Sequence, residues 1–259
     1  MATTDGDPKL IQQSIGAAIA GRAALEAKYA RALEREMQWF VERLASAARV
    51  ATGPLPTSAG FALWEEMIER LRAAGVAESL LVILADSSMP GIATGAAQIA
   101  YNTALVNQLA PSALGQFIEE SLGLRGDEPG KLITGPGLSR NWLADARGLA
   151  NTAATSDFNA EVLAELAAEG YPYKRWSNRA DNRVRPAHIV ADNQTVPLEQ
   201  DFIVDGERLA HPADPNGSWD NIMNCRCVVV GVRFGDRAMD YPAGLEPWNM
   251  PYPGKPVDL

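Results

Sequence analysis

Both cysteines of this 259-residue chain, and one of its two histidines, fall in two short stretches, "DNRVRPAH" at Asp181 to His188 and "NCRC" at Asn224 to Cys227. Those residue types allow two kinds of chemistry. In the first, Cys225 and Cys227 project from one face of a strand and, with His188 and His211, complete a Cys2His2 zinc set; His188, Cys225 and Cys227 alone leave the open position that a catalytic zinc requires. In the second, the same residues hold a small fold in shape. Arg183 and Arg185 alternate along an extended stretch and fork onto Asp181, Asp192 or Asp214, His188 donates to a backbone carbonyl, Asn224 bridges strands, and the thiols act as small buried hydrophobes. Asp181, His188 and Asp192 could also serve as acid, base and orienter. Two cysteines exclude a disulfide framework. The chain has no G-x-S-x-G, no phosphate loop ending in Lys-Ser or Lys-Thr, and no H-E-x-x-H.

Charge narrows the choice of partner. The formal net charge of -9 argues against a protein that coats DNA, which needs clustered Lys and Arg. The acidity lies mostly before residue 171, where 13 basic residues face 20 acidic ones. Lys174, Arg175, Arg179, Arg183 and Arg185, opposed only by Asp181, form a local basic strip, the one candidate DNA-binding surface.

The elements that must position these groups are mostly helical. Pro8 opens a long apolar stripe that includes Ile11, Ile15, Leu33, Met37, Phe40 and Leu44, uninterrupted until "TGPLP" at Thr52 to Pro56, with Gly16 and Gly21 as candidate bends. A second amphipathic helix carries Phe61, Trp64, Met67, Ile68 and Leu71 on one side and ends at Gly75. The Gly- and Ala-rich stretch that follows suits closely packed helices, and Asp86 with Asn102 speaks against a membrane role. Residues 125–137 read as a loop, and a further helix is predicted from about Ser139. Past Gly170 the helical period disappears and short β-type runs appear, one a hairpin turning at Asp205-Gly206. The expected class is α+β: a helical region over 1–137 for subunit contacts, a small β-rich module over 138–234, and an irregular Pro-rich tail over 235–259 with Trp248 and Tyr252 as anchors. The N-terminus shows no basic-then-apolar signal region, so synthesis in the cytoplasm is expected.

Taken in order, Trp176, Asp181, Arg183, Arg185, His188, Asp192, Phe202, Pro212, Asp214, Pro215, Asn224, Cys225, Arg226 and Cys227 resemble the signature of the Mu F-like family of phage minor head proteins. The resemblance covers roughly residues 139 to 232. Asn193 stands where that family commonly has glycine, and His211 where it commonly has an aromatic. The resemblance implies a structural virion protein, not an enzyme, present in several copies at the portal vertex of a phage head. Its implied partners are the portal protein, other head proteins and genomic DNA, and its implied roles are head morphogenesis and DNA packaging or ejection. The competing readings are a zinc-dependent hydrolase and a DNA-binding module on the His/Cys cluster and its basic neighbours. A cofactor is expected to be absent or to be zinc.

Overall fold

The computed structural model describes residues 8–85, 87–108, 110–135 and 138–233. Its class is α+β, as expected. Helix α1 (Pro8–Val50) runs unbroken for 43 residues, about 65 Å at about 1.5 Å per residue. It stops where Gly53, Pro54 and Pro56 withdraw helix-forming backbone. Gly16 and Gly21 both lie inside the continuous helix. Gly21 serves close approach, since a Cβ there would sit 2.8 Å from the Phe158 ring.

The contacts divide the chain into two compact units, residues 27–150 and residues 1–26 with 151–259. The division falls at 150/151, against the expected 137/138, and residues 1–26 of the chain group with residues 151–259. The 235–259 tail, with Trp248 and Tyr252, lies outside the described residues, as does Asp86.

The 27–150 unit contains the rest of α1, α2 (Thr57–Ala73), α3 (Glu78–Ala85), α4 (Met89–Val106), α5 (Pro111–Ser121) and the hairpin β1 (Lys131–Gly135) and β2 (Leu138–Asn141). Leu33, Met37, Phe40 and Leu44 are buried with Trp64, Met67, Leu71, Leu80 and Leu84. The Phe40 and Trp64 rings meet edge to face at 5.1 Å, and the Trp64 indole N–H donates to Leu84 O at 2.8 Å. Of the predicted α2 stripe only Phe61 departs, being 45% exposed. The loop expected over 125–137 contains strand β1, paired antiparallel with β2. Glycines and prolines on both sides of "KLIT" mask a run too short to show a period, although Leu132 is fully buried. Among the described residues no single helix is long and apolar enough to cross a membrane; α3 and α4 together meet that length and composition but are bent by 47°.

Helix α6 (Trp142–Ala168) starts later than expected, because Ser139 is in β2 and the Asn141 carboxamide oxygen caps the helix by accepting the Ala144 N–H at 3.0 Å. From Asn151 it belongs to the C-terminal unit. That unit holds a three-stranded antiparallel sheet in the order β4 (Thr195–Pro197), β3 (Tyr173–Ser177), β7 (Val228–Val232), the hairpin β5 (Phe202–Val204) and β6 (Glu207–Leu209), and the short helices α7 (Pro186–Val190) and α8 (Trp219–Ile222). The hairpin turns at Asp205-Gly206 as predicted, with φ of 52° and 80°, the positive values a two-residue turn demands. Every β7 residue is buried because the strand is covered on both faces. Val229 joins the core of Trp176, Phe202 and Leu166, while Val228 and Val230 pack with Ile11, Ile15 and Ala18 of α1. At Gly231 a Cβ would overlap Leu166 and lie 2.6 Å from the Tyr171 ring, so only glycine lets these elements close.

Candidate metal centre

The cysteines are held from behind by a polar ladder on α6. Asn151, Thr155 and Asn159 recur at a spacing of four on an otherwise alanine-rich helix, so all three face one side. The Thr155 hydroxyl and Asn151 Nδ2 donate to Cys225 O at 2.6 and 3.3 Å. Asn159 Nδ2 donates to Cys227 O at 3.2 Å, and Asn159 Oδ1 accepts the Val229 N–H at 2.8 Å. Thr152 Oγ1 accepts the Asn224 N–H at 2.9 Å. Fully buried Arg22 of α1 braces the ladder, its Nη1 donating to Asn151 Oδ1 at 2.9 Å and Thr155 Oγ1 at 3.1 Å, its Nη2 to Glu26 at 2.8 Å. None of these five residues was a candidate from sequence; four-residue spacing of Asn and Thr among alanines was the available signal.

Cys225 and Cys227 lie in the segment leading into β7 rather than on the strand itself. Asn224 does not bridge strands. Its exposed side chain leaves the backbone to act, with a φ of 54° that redirects the chain into the cysteines, a conformation asparagine tolerates better than most residues. Opposite, residues 181–184 form a turn and not the extended stretch expected for Arg183 and Arg185, since Pro186 starts α7. Two residues on, His188 is buried, its ring edge-on to Trp176 at 5.5 Å. Trp176 in turn packs edge-on to Phe202 at 5.4 Å.

His188 Nδ1 lies 3.7 Å from Cys225 Sγ and 3.5 Å from Cys227 Sγ, and all three donor atoms lie within 4.8 Å of one another. A tetrahedral ion with bonds of about 2.3 Å to sulfur and about 2.0 Å to nitrogen sets sulfur and nitrogen about 3.5 Å apart, so the cluster could hold a metal ion with little movement. The buried His188 Nε2 has no hydrogen-bond partner among the described residues, while the Trp176 indole acts on the Cys227 thiol. The Cys227 thiol and His188 hold the Cys225 thiol well below its usual range against the opposing effect of burial. Cys227 is pushed well up by Cys225 and by burial. A metal ion would take both sulfurs as thiolates, the form that ligates metals. His211 does not join them: its Nδ1 lies 3.0 Å from Pro212 O, and the expected Cys2His2 set does not form.

The carboxylates are committed elsewhere. Asp181 accepts two bonds from Arg226, at 2.6 and 2.7 Å, rather than pairing with Arg183 or Arg185. Arg226 is the main cause that lowers its pKa to about 2, with the Arg183 backbone N–H and the Arg179 charge adding to it. Asp192 Oδ1 accepts the Asn178 N–H at 2.8 Å, and Asp214 accepts the Ala210 and Asn216 N–H groups at 2.7 and 3.0 Å. Neither ring nitrogen of His188 bonds a carboxylate, so the Asp181, His188, Asp192 relay is not assembled.

Nor do the basic residues form one surface. Lys174 is buried, donates to Ala210 O at 2.8 Å, lies 5.1 Å from the Phe202 ring centroid, and has its pKa lowered by burial. Arg175 Nε donates to Thr195 Oγ1 at 2.8 Å, and an Arg185 Nη2 hydrogen bonds Met223 O. Arg179 and Arg183 remain exposed. With Arg185, Arg226, His188 and the two cysteines they line a cavity of about 10 Å³. No family model, curated protein or solved structure matches the chain.

Proposed function

We propose that this chain is a structural minor head protein of a tailed bacteriophage, of the Mu F-like kind, made in the host cytoplasm and built in several copies into the virion at the portal vertex. One observation carries the reading. Signature residues separated by up to about fifty positions use their polar groups inside the module: Asp181 on Arg226, Arg185 on Met223 O, Asp192 and Asp214 on backbone N–H groups, His188 against both cysteines. A signature spent on holding shape supports an assembly role more than a reaction. Contacts with the portal protein and other head proteins, an influence on packaging or ejection, and proximity to genomic DNA come from the resemblance.

In this reading the His188, Cys225 and Cys227 cluster holds zinc, since two thiolates and an imidazole are a donor set zinc favours. A hydrolase reading gains no support from a cavity of about 10 Å³, with room for roughly one water. A DNA-binding module would need Lys174 at the surface, whereas it is buried on Ala210 O, and Arg185 is engaged by Met223 O.

Quantitative mass spectrometry of particles from a lysate of the strain that carries the gene tests the assignment. The chain is expected in tail-free heads, retained with the portal protein and far less abundant than the major shell protein. Absence from heads refutes it, as does a deletion strain whose particles keep normal protein content, infectivity and DNA ejection.

A further inference from the structure

We propose that the ion held by His188, Cys225 and Cys227 keeps a fourth coordination position facing the arginine-lined cavity, where it binds a water-derived hydroxide or another small monoanion. This rests on the zinc reading above. Three protein donors converge among the described residues, and no fourth His, Cys, Asp or Glu joins the cluster. Zinc favours four ligands, and a site with three protein ligands takes its fourth from solvent or a bound molecule.

The direction and class of that ligand follow from the lining. His188, Cys225 and Cys227 all border the cavity, so it adjoins the donors themselves. Its other charged walls are Arg179, Arg183, Arg185 and Arg226, four guanidiniums against three carboxylates nearby: Asp181 on Arg226 and Arg179, Glu26 acting on Arg226, and Asp192 acting on Cys227. Two thiolates neutralise a divalent ion, and the surplus guanidinium charge then selects an anion over a neutral donor. Size sets the limit: about 10 Å³ holds roughly one water-sized ligand, which admits hydroxide, chloride or the end of linear azide and has no room for a tetrahedral phosphate group. Arg183 offers the cleanest handle. Its side chain is exposed and makes no hydrogen bond or ion pair among the described residues, so removing its charge leaves the packing intact.

The full-length protein, stripped of metal and titrated with cobalt(II), reports both levels separately. One cobalt per chain is expected, with a near-ultraviolet thiolate band that Cys227→Ser diminishes. Azide added to this cobalt protein is expected to shift the visible bands saturably, and inorganic phosphate to leave them unchanged. Arg183→Gln should weaken azide binding about fivefold while cobalt stoichiometry and circular dichroism stay as in the parent. Failure to bind cobalt overturns the zinc reading and this inference together. Stoichiometric cobalt with bands indifferent to azide and thiocyanate overturns the open position alone, and a saturable phosphate shift overturns the restriction to small ligands.

Discussion

Replacing Asn159 by alanine is the sharpest test of the ladder that carries the cysteines. The side chain is fully buried and makes bonds in both directions: Nδ2 to Thr155 O at 2.8 Å, Pro212 O at 3.2 Å and Cys227 O at 3.2 Å, and Oδ1 from the Val229 N–H at 2.8 Å. Alanine strands the Val229 N–H in the core, a cost of about 2 kcal/mol, while the two longer carbonyl bonds contribute about 1 kcal/mol together. Thr155 O adds little, since a helical carbonyl keeps its main-chain partner. The cavity left by the carboxamide costs about 1 kcal/mol, and the better helix propensity of alanine returns about 0.5 kcal/mol. The net loss is about 3 to 4 kcal/mol, a large share of a typical domain's stability. Hydrogen exchange on the full chain should then show protection falling across residues 151–168 and 228–232, with residues 57–106 unchanged. A loss below about 1 kcal/mol, or one spread equally over both units, would refute the claim that Asn159 anchors the cysteine segment.

Other outcomes follow from single contacts. The folded pKa of Asp181, about 2, lies below its ordinary 3.8, so its stabilising contribution is present above that ordinary value and disappears as pH falls through about 2; the stability difference between parent and Asp181→Asn should be flat above pH 4 and vanish towards pH 2, and a difference growing with acidity contradicts the Arg226 pairing. Gly60→Ala puts a Cβ onto Thr94 Oγ1 and 3.0 Å from Pro90 O, which should lower thermal stability by about 1 to 3 kcal/mol. Gly95→Ala, with nothing within 4 Å, should raise it by about 0.5 to 1 kcal/mol. Asn193, at φ 66°, should accept glycine within about 0.5 kcal/mol but lose about 2 kcal/mol as valine, measured by denaturant unfolding.

Local features were legible in the sequence wherever a local rule operates. The α1 stripe, the α2 stripe apart from Phe61, and the Asp205-Gly206 turn all rest on periods or dihedral preferences that act within a few residues. The β1 and β2 hairpin was hidden because four residues are too few to show alternation amid glycine and proline. Asn193 is a case in between: asparagine is a turn-prone residue, but only the structure shows its positive φ of 66°.

What the sequence by itself determined was the α+β order of elements and the confinement of Cys225, Cys227 and His188 to one short span. Only the tertiary structure decided that His188 rather than His211 meets the sulfurs, that Arg226 rather than Arg183 or Arg185 takes Asp181, and that Lys174 is interior. It also brought Arg22, far away in α1, to the helix that holds the cysteine carbonyls. Such choices depend on pairings between residues tens to more than a hundred positions apart. Hydrophobic period and turn chemistry specify the direction of the chain over a few residues; the identity of a distant partner is settled only when packing brings the elements together and buried polar groups must find bonds.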